Sequence, residues 1–567
     1  MKEVIVNLIK KSLKKKSIDI SEEKIAKTIE IPPSSEMGDY ALPCFFLAEI
    51  MEEEPHEIAI ELRELMGNPP GGMEDIQTRG PYINFFLDRK TLGVNLIKEI
   101  NSKKDNFGKS KRAGKKTMIE FPSPNTNKPL HLGHLRNMAI GESLSRIFEF
   151  NGERVIRANL NNDRGIHICK SMAAYKLYGK GKNPKSEKKK SDHFVGDYYV
   201  MFNKKEKENQ KLELESHRML QKWEAGDKET LKLWKKMNKW ALDGFEKTYK
   251  KFGIKHSVEF FESKIYEKGK EIILEGLKKG IFKKKKDGAI AINLKKEKLG
   301  EKILLRLDGT SVYITQDIYL AKLKQEKYKL DKSIYVVANE QKYHFDVLFT
   351  LLEKLGFKSE GLKHLSYGMV NLPDGKMKSR EGTVVDADDL IEKVQDLIKK
   401  ELESRYKLTP KQSEERSLTI ALAAIKYLLL KIDIKKDMVF NPKESINFEG
   451  DTGSYILYSY ARASSILRKL KNKKSNSPLE SLEEKEIALI KKLSDFENIT
   501  LNAYKNTNPS LIANYSYQLA QIFNEFYHSC PVLNSDKESF RIELVKAFRQ
   551  VLKNSLYLIG IDTLEEM

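Results

Sequence analysis

The sequence predicts a multidomain protein that is α/β in its first two-thirds and all-α in its last third. Short apolar runs with β-branched residues alternate with helical patterns up to about residue 395, which is typical of an α/β arrangement. From about residue 400 nearly every segment is helical, as in the run SLTIALAAIKYLLLKID. A chain of 567 residues is long enough for several domains that each bury a core.

The segment from residue 117 to residue 160 predicts a strand, a loop, a helix and a second strand. Thr117–Phe121 is a short apolar run typical of a buried strand, and turn-forming residues follow it in SPNTNKP. Apolar residues return at helical spacing from about Gly133 until Asn151-Gly152 ends the helix. Val155–Leu160 is the second strand-like run.

His131 and His134 lie at the start of this predicted helix. Unpaired N–H groups and the positive end of the helix dipole attract phosphate at such a position. Gly133 has no side chain, so a base or ribose can approach the backbone closely. Two histidines three residues apart also suit a zinc site or a simple helix cap. No cysteine or third histidine lies nearby in the sequence, which disfavours zinc.

The chain is strongly basic, with 102 Lys and Arg against 81 Asp and Glu, a net charge of +21 and a pI near 9.3. This balance is typical of a protein that binds a polyanion such as nucleic acid. Most of the cations are lysines, and a lysine-rich proteome would produce the same balance without any ligand. The charge therefore favours nucleic-acid binding only in combination with the motifs.

Three cysteines, Cys44, Cys169 and Cys530, are isolated in the sequence, which indicates reduced thiols in the cytoplasm rather than disulfides or a zinc site. No apolar run approaches the length of a membrane span. The N-terminus is basic and amphipathic but contains acidic residues and lacks Arg, so Val4–Leu13 predicts a folded helix rather than a transit peptide.

Residues 1 to about 110 predict a small α/β domain. It contains a helix at Phe45–Met51, a turn at Gly38-Asp39-Tyr40 and a strand at Tyr82–Leu87. The polar run at residues 103–109 is the linker that ends this domain.

Tyr313 and Asp317 stand four residues apart near the start of a predicted amphipathic helix, so they share one of its faces. A carboxylate beside an aromatic ring can bind a guanidinium through a charge-assisted hydrogen bond and a flat surface. The alternative is an exposed Asp in a first turn, which the helix dipole favours, and spacing alone ranks this alternative first.

Gly375 and Gly382 bracket a short cationic loop, Lys376-Met377-Lys378-Ser379-Arg380. Such a loop is suited to closing on a triphosphate. Taken alone, the same residues would be an ordinary basic surface loop.

The run SPNTNKPLHLGHLRN resembles the HIGH-type signature of class I aminoacyl-tRNA synthetases, in the form used by arginyl-tRNA synthetases. The loop GKMKSR resembles their KMSKS loop, although Ser379 occupies the position of its second lysine. Arginyl enzymes often lack that lysine and carry one just before the HIGH-type motif, which matches Lys128. The resemblance extends over essentially the whole chain, with the motifs in the expected order.

This resemblance implies a Rossmann-like class I synthetase catalytic core, a small N-terminal α/β domain and a C-terminal helical-bundle anticodon-binding domain. The expected boundaries are 1–110 for the N-terminal domain that contacts tRNA, 111–395 for the catalytic domain and 396–567 for the helical domain. A connective insertion is expected at about 180–270.

The resemblance also implies the site residues. Expected catalytic residues, which would stabilise phosphate charge, are His131, His134, Lys128 and Lys376. Expected ATP-binding residues are Pro129, Leu132, Gly133, Met377, Lys378 and Ser379. Expected arginine-binding residues are Glu120, Ser123, Asn125, His134, Tyr313, Asp317 and Gln341. Candidate tRNA-binding residues are Tyr82, Asn84, Tyr455, Tyr458 and Tyr527, and each of these could instead be a core residue.

Asp163, Arg164 and His167 follow a strand end, where open α/β sheets place ligand-binding residues. Many arginyl enzymes have a GDWG-type sequence at this point. The roles of these three residues therefore stay open.

The function that the resemblance implies is arginine–tRNA ligation, with arginine, ATP with Mg²⁺ and tRNA(Arg) as substrates. We expect no tightly bound cofactor, a monomer in the cytoplasm and no membrane partner. Arginine activation that requires bound tRNA is also compatible with the family. Two alternatives remain, another HxGH nucleotidyltransferase such as a cytidylyltransferase, and a non-catalytic tRNA-binding paralogue.

Overall fold

The computed structural model describes the chain except for residues 111–113, 207–210, 372–384, 442–446, 448–449 and 471–478. The described residues divide into two compact units. The first contains Met1–Lys104, the described part of Lys471–Ser494, and Glu525–Ala547. The second contains the described parts of Asp105–Leu470, with Asp495–Asn524 and Phe548–Met567.

The helices and strands have the following bounds. The helices are α1 Lys2–Lys15, α2 Glu22–Thr28, α3 Phe45–Met51, α4 Pro55–Met66, α5 Arg89–Lys103, α6 Leu132–Phe150, α7 Ile166–Tyr178, α8 Ser191–Glu206, α9 Lys211–Glu224, α10 Lys228–Phe252, α11 Glu262–Ile265, α12 Gly269–Lys278, α13 Tyr313–Tyr328, α14 Lys342–Lys354, α15 Ala387–Arg405, α16 Pro410–Lys431, α17 Gly453–Arg468, α18 Glu484–Ser494, α19 Phe496–Asn506, α20 Ser510–Ser529 and α21 Glu538–Leu558. Short 3₁₀ turns lie at Ser35–Met37, Lys104–Asn106 and Asn339–Gln341. The strands are β1 Tyr40–Pro43, β2 Met73–Arg79, β3 Tyr82–Leu87, β4 Lys116–Glu120, β5 Arg154–Asn161, β6 Val258–Phe261, β7 Lys283–Lys284, β8 Ile290–Leu294, β9 Gly300–Leu305, β10 Lys332–Ala338, β11 Leu362–Tyr367, β12 Val370–Asn371 and β13 Met438–Val439.

The first unit contains an antiparallel sheet in the order β1-β3-β2. Its core is formed by apolar residues of α1, α3, α4 and the central strand β3. Ile5, Ile9 and Leu13 recur at helical spacing along α1 and are fully buried, which explains why this basic segment folds as a helix.

The second unit is built on a five-stranded parallel sheet in the order β11-β10-β4-β5-β6. β4 lies at its centre, and α6 connects β4 to the neighbouring strand β5. Almost every residue of α6 is buried, so this helix is enclosed by other elements over most of its surface. The antiparallel strands β7-β8-β9 and the parallel pair β12-β13 form two further small sheets.

Arg136 of α6 links three segments that are distant in the sequence. Its guanidinium is fully buried and donates hydrogen bonds to the carbonyls of Gly368 (2.6 Å), Met369 (3.2 Å) and Lys436 (2.9 Å). A Cβ at position 368 would lie 2.3 Å from the carbonyl oxygen of Lys436, so only glycine allows this close approach. One side chain thereby fixes the segments next to β12 and β13 against α6.

The predicted fold class is confirmed: a parallel-sheet core, an N-terminal α/β part and a helical C-terminal part. Helix Phe45–Met51 and strand Tyr82–Leu87 have the predicted bounds. The central strand and helix begin and end within one or two residues of their predicted limits. Among the described residues, no helix is long and apolar enough to cross a lipid bilayer.

We predict that Arg136→Leu lowers the free energy of unfolding of the second unit by about 3 kcal/mol, because three buried carbonyls lose a charged donor. Urea unfolding monitored by intrinsic fluorescence measures the loss. Arg405→Leu is the matched control, since Arg405 is exposed and pairs with Glu401 one turn earlier in its helix. We expect the control to lose about 0.5 kcal/mol or less. Equal losses in the two variants would contradict the role assigned to Arg136.

Candidate active site

A cleft of about 690 Å³ opens at the carboxyl ends of the central parallel strands. Glu120 ends β4, Asn162 follows β5, and Ala338 ends β10, and all three line the cleft. Parallel α/β sheets bind ligands at this edge because neighbouring connections diverge there. The volume lies in the range of cavities that bind a cofactor or a nucleotide.

The first turn of α6 forms one wall of the cleft and is capped by its own histidines. The backbone N–H of Gly133 donates to Nδ1 of His131, and the N–H of His131 donates to Nδ1 of His134, each at 3.1 Å. The two imidazole rings lie 3.9 Å apart, centroid to centroid. Two of the unpaired N–H groups at this helix start are therefore satisfied by the motif itself.

Burial and capping together determine the protonation of both rings. Burial lowers the pKa of His131 to about 3, and the positive charge of Lys128 adds to the effect. Burial also lowers the pKa of His134 well below its ordinary value, and His131 and Lys128 lower it further. Because each Nδ1 accepts a hydrogen bond, the single proton of each neutral ring lies on Nε2. The pair can act as neutral hydrogen-bond donors, whereas we expected cationic stabilisation from it.

The opposite wall carries the predicted guanidinium contacts. Asp317 is half-buried and its Oδ2 lies 2.6 Å from Nε2 of His344. Tyr313 begins α13 and is 65% exposed, so its ring is available at the cleft. Gln341 ends the 3₁₀ turn after β10 and also lines the cleft. His344 was not predicted, because nothing in its sequence neighbourhood indicates that it pairs with a residue of another helix.

Two further ionisable groups of the cleft were missed by the sequence analysis. Glu262, at the start of α11, is buried and lines the cleft. Burial is the main cause that raises the pKa of Glu262 to about 7; Arg164 opposes the rise, and the carboxylates of Asp163 and Asp317 add to it.

Lys324 is the other missed group, a fully enclosed lysine whose Nζ lies 2.6 Å from Oε2 of Glu120. Its ammonium also lies 4.4 Å from the centroid of the Tyr335 ring. Burial alone would lower the pKa of Lys324, but the adjacent Glu120 carboxylate outweighs burial and raises it. The predicted arginine contact Glu120 is therefore already paired within the protein.

Ser123 and Asn125 lie in the loop between β4 and α6, and both line the cleft. The loop is held to the end of β5 by hydrogen bonds: Asn159 Oδ1 accepts from the N–H of Ser123 at 3.2 Å, and the Asn162 amide donates to the Ser123 carbonyl at 3.1 Å. Ser123 has a φ of 56°, an uncommon conformation that these bonds support. All seven predicted arginine-binding residues thus lie around one cleft.

The predicted catalytic and ATP-binding residues are distributed differently. Gly133 lines the cleft, Leu132 is fully buried, and Lys128 and Pro129 line an adjacent pocket of about 200 Å³. His131 borders both cavities. Lys376, Met377, Lys378 and Ser379 lie outside the described residues.

The candidate tRNA-binding residues of the first unit lie on two elements. Asn84 is only 5% exposed in the central strand β3, so its amide is not presented at the surface. Tyr82 is half-buried and packs edge-on against Phe45. Tyr527 of α20 is partly exposed. Binding of tRNA by these three residues stays a prediction.

The two candidate tyrosines of the second unit are half-buried on α17. The Tyr455 hydroxyl accepts a hydrogen bond from the Asn524 amide at 2.8 Å. Arg462 donates to the Tyr458 hydroxyl at 3.3 Å. Both side chains therefore have structural partners, and their contact with tRNA also stays a prediction.

The three residues whose roles stayed open lie beside the cleft without lining it. The Asp163 carboxylate accepts hydrogen bonds from the backbone (2.8 Å) and hydroxyl (2.6 Å) of Ser263. The guanidinium of Arg164 lies 3.9 Å from the centroid of the Tyr266 ring. His167 lies within 3.3 Å of the Tyr199 hydroxyl. These contacts support the walls of the site.

Comparison with protein families identifies the class. The catalytic-domain model described as "tRNA synthetases class I (R)" matches residues 96–442, which is more than half of the chain. A DALR anticodon binding domain matches residues 456–567, and an arginyl tRNA synthetase N terminal domain matches residues 3–87. Together with the parallel sheet and the capped helix start, these matches define a class I aminoacyl-tRNA synthetase.

Individual relatives are similar over nearly the whole chain. The arginine–tRNA ligase of Treponema denticola is 48% identical, over 95% of this chain and 94% of the relative, and that of Borrelia duttonii is 43% identical, over 99% and 98%. Among solved structures, the arginyl-tRNA synthetase of Thermus thermophilus has a TM-score of 0.80 at 26% identity, covering 100% of both chains. The Plasmodium falciparum enzyme shares the fold, with a TM-score of 0.75 at 24% identity over 100% of this chain and 99% of that one. The chain belongs to the arginyl-tRNA synthetase family.

We predict that His131 makes the fold less stable as pH falls below about 6.5. The folded pKa of His131 lies near 3, below the value near 6.5 expected when the chain is unfolded. The unfolded chain therefore takes up more protons, and stability decreases between pH 6.5 and pH 4. In His131→Asn, which keeps a helix-capping side chain, the decrease should be smaller. Urea midpoints at several pH values measure it, and identical pH slopes in the two proteins would refute the assignment.

Proposed function

We propose that this chain is an arginine–tRNA ligase that carries out its reaction in the cleft at the carboxyl ends of β4, β5 and β10. It activates arginine with ATP to arginyl-adenylate and pyrophosphate, and then esterifies the 3′-terminal adenosine of tRNA(Arg) at the 2′-hydroxyl. The observation that carries the proposal is the convergence of seven predicted arginine contacts around one cleft, in a chain of this family. Sequence positions from 120 to 341 supply these contacts.

The guanidinium binds at the wall formed by Asp317, Glu262 and Tyr313. Two carboxylates can share the five N–H donors of the planar cation, and the tyrosine offers a flat face. Asp317 is oriented by His344, which is 2.6 Å away, so its geometry exists before the substrate binds. Gln341 completes this side of the cleft.

The α-amino and carboxylate groups of arginine bind near Glu120, Asn125 and Ser123, next to the α6 helix start. Lys324 Nζ lies 2.6 Å from Oε2 of Glu120, so the two opposite charges are paired in this enclosed position. This arrangement brings the arginine carboxylate toward His134, beside the expected position of the ATP α-phosphate.

The first step needs no general base, because the arginine carboxylate is already ionised at neutral pH. It attacks the α-phosphorus, and the bond from that phosphorus to the bridging oxygen of pyrophosphate breaks. The Nε2–H groups of His131 and His134 donate hydrogen bonds to phosphate oxygens as negative charge shifts during the reaction. Lys128 adds a positive charge, and we assign the same role to Lys376. Mg²⁺ enters with ATP as part of the substrate.

The remaining assignments concern the whole chain. We assign residues 1–110 to tRNA contact, 111–395 to catalysis and 396–567 to anticodon binding. The matched family ranges support this order of domains, with the catalytic match extending to residue 442. We also propose that the chain acts as a monomer. A reducing, cytoplasmic location is supported by three buried cysteines without a disulfide.

The deciding experiment is exchange of labelled pyrophosphate into ATP, with each of the twenty amino acids, in the presence and absence of tRNA. Exchange that depends on arginine supports the proposal, whether or not tRNA is also required. Exchange with a different amino acid would refute the specificity. Absence of exchange in every condition would favour a tRNA-binding protein, and pyrophosphate release with CTP would favour a cytidylyltransferase.

We predict that Asp317→Asn lowers kcat/KM for arginine by about a hundredfold, because the guanidinium loses a charge-assisted hydrogen bond in a partly desolvated site. Steady-state exchange measures it. Asp346→Asn, an exposed carboxylate on α14 close to His344 in sequence, is the control and should leave kcat/KM unchanged. Binding of tRNA should be equal in all three proteins. An unchanged kcat/KM in the Asp317 variant would remove this residue from the site.

We predict that arginine affinity rises with pH because of Glu262. A carboxyl group with a pKa near 7 is mostly protonated at pH 6 and mostly ionised at pH 8, and only the ionised form attracts the guanidinium strongly. KM for arginine should fall by about tenfold between these pH values. In Glu262→Gln the KM should be high and independent of pH over this range. Glu267→Gln, on an exposed neighbour, should keep the wild-type profile.

A further inference from the structure

The cap of α6 is joined by backbone hydrogen bonds to a segment more than 250 residues away. The N–H of Leu132 donates to the carbonyl of Val385, and the N–H of Ala387 donates to the carbonyl of Leu130, each at 3.0 Å. His131 and Asp386 are thereby paired as one antiparallel bridge. The position of His131 in the active site consequently depends on the position of Asp386.

Asp386 in turn is held by His193, which extends from α8. Nε2 of His193 lies 3.2 Å from Oδ1 of Asp386 and 3.5 Å from Oδ2 of Asp388. Asp386 also accepts a hydrogen bond from the N–H of Asp388 at 2.9 Å, as the N-cap of α15. Burial alone would lower the pKa of His193, but the bonds to Asp386 and Asp388 outweigh it and raise the pKa to about 10. His193 is therefore a cation at neutral pH.

The surrounding charges complete a closed cluster of side chains. Lys190 donates to Asp388 at 2.7 Å, to Asp192 at 2.9 Å and to Thr248 of α10 at 2.6 Å. Asp192 and Asp389 are the other carboxylates close to His193. Carboxylates grouped in this way could also hold a metal ion, but here two protein cations already lie among them. We therefore interpret the cluster as a set of salt bridges that joins α8 to the start of α15.

The same face of α8 touches the candidate phosphate-binding residue. Gly196, one turn after His193, lies so close to the loop before α6 that a Cβ there would be 2.6 Å from Cδ of Pro129 and 3.5 Å from Cα of Lys128. His193, Gly196, Lys128 and His131 together line the pocket of about 200 Å³ beside the cleft. One helix face therefore borders Lys128 directly and reaches His131 through Asp386.

We propose that α8 positions the phosphate side of the active site, with His193 as the positioning residue that sets His131 through Asp386 and with Gly196 as the contact that sets Lys128. This inference rests on the proposed function, since it assigns His131 and Lys128 to ATP. His193 itself touches neither substrate. It acts by holding two groups that do, so its loss should weaken the use of ATP more than the use of arginine.

The test is a double-mutant cycle on His193→Gln and Asp386→Asn, with kcat/KM for ATP and for arginine measured by pyrophosphate exchange. Glutamine keeps a donor without the charge, and asparagine keeps the N-cap of α15. We expect each single variant to lower kcat/KM for ATP about tenfold, and the double variant to be no worse than either, because one contact is removed in all three. The KM for arginine at saturating ATP should stay within twofold, since a lower kcat alone would reduce kcat/KM for both substrates. His217→Gln, on an exposed position of α9, is the control.

Gly196→Ala tests the second contact independently of charge, since the added methyl must displace Pro129. We expect the same selective loss for ATP, whereas Gly71→Ala, where a Cβ meets nothing within 4 Å, should have no effect. Kinetics within twofold of wild type in both His193→Gln and Gly196→Ala would overturn the proposal. A rise in KM for arginine equal to the rise in KM for ATP would also overturn it, because it would indicate general destabilisation.

Hydrogen exchange separates this proposal from the proposed function. In His193→Gln, the amides of Leu132 and Ala387 should exchange at least fivefold faster than in wild type, while His217→Gln leaves them unchanged. Protection equal to wild type would overturn the positioning role. An absence of arginine-dependent exchange of pyrophosphate in the wild-type protein would instead refute the proposed function, and hydrogen exchange would still decide the role of His193.

Discussion

The hydrogen-bonded cap at the start of α6 is the constraint on which the rest of the catalytic unit depends. A helix start that faces a binding site must leave N–H groups for a ligand, but unsatisfied donors are costly. Here Nδ1 of each histidine accepts a hydrogen bond from a backbone N–H of the motif. The Nε2–H of each ring takes no part in this cap. Gly133, which lies between them, has no side chain and leaves space beside the backbone of this turn. The same two rings therefore cap the helix and offer donors that suit a ligand.

Groups that suit a cation and groups that suit phosphate lie at different places around the cleft. Asp317 and Glu262 supply carboxylates that suit a cation, whereas the start of α6 supplies neutral donors, with Lys128 in the adjacent pocket, that suit phosphate. An enclosed carboxylate without a partner destabilises the fold, and Lys324 is the partner of Glu120. Within the described part of the chain Glu262 forms no such ion pair, and burial raises its pKa to about 7 against the opposing charge of Arg164.

The features that were predicted from the sequence are those that depend on local patterns of residues. The unit around residues 117–160 follows from periodicity and turn chemistry, and Asp317 follows from family resemblance at a motif. Three residues were missed, Glu262, His344 and Lys324. Each acquires its role from a residue on another element, and the spacing of residues in the sequence does not indicate such a pair. His193 was missed for the same reason, since its partners lie almost 200 residues away. The burial of Asn84 likewise depends on β3 being the central strand, which the run GPYINFF does not reveal.

The buried guanidinium of Arg136 has a consequence for how the protein is made. Its acceptors lie 232, 233 and 300 positions later in the chain. At ribosomal speeds of roughly 5–20 residues per second, the last acceptor is synthesised about 15–60 s after Arg136. During this interval Arg136 lacks carbonyl acceptors to which its guanidinium donates in the folded protein. The second unit is therefore completed only after α15 and α16 have been synthesised, since Lys436 follows both helices.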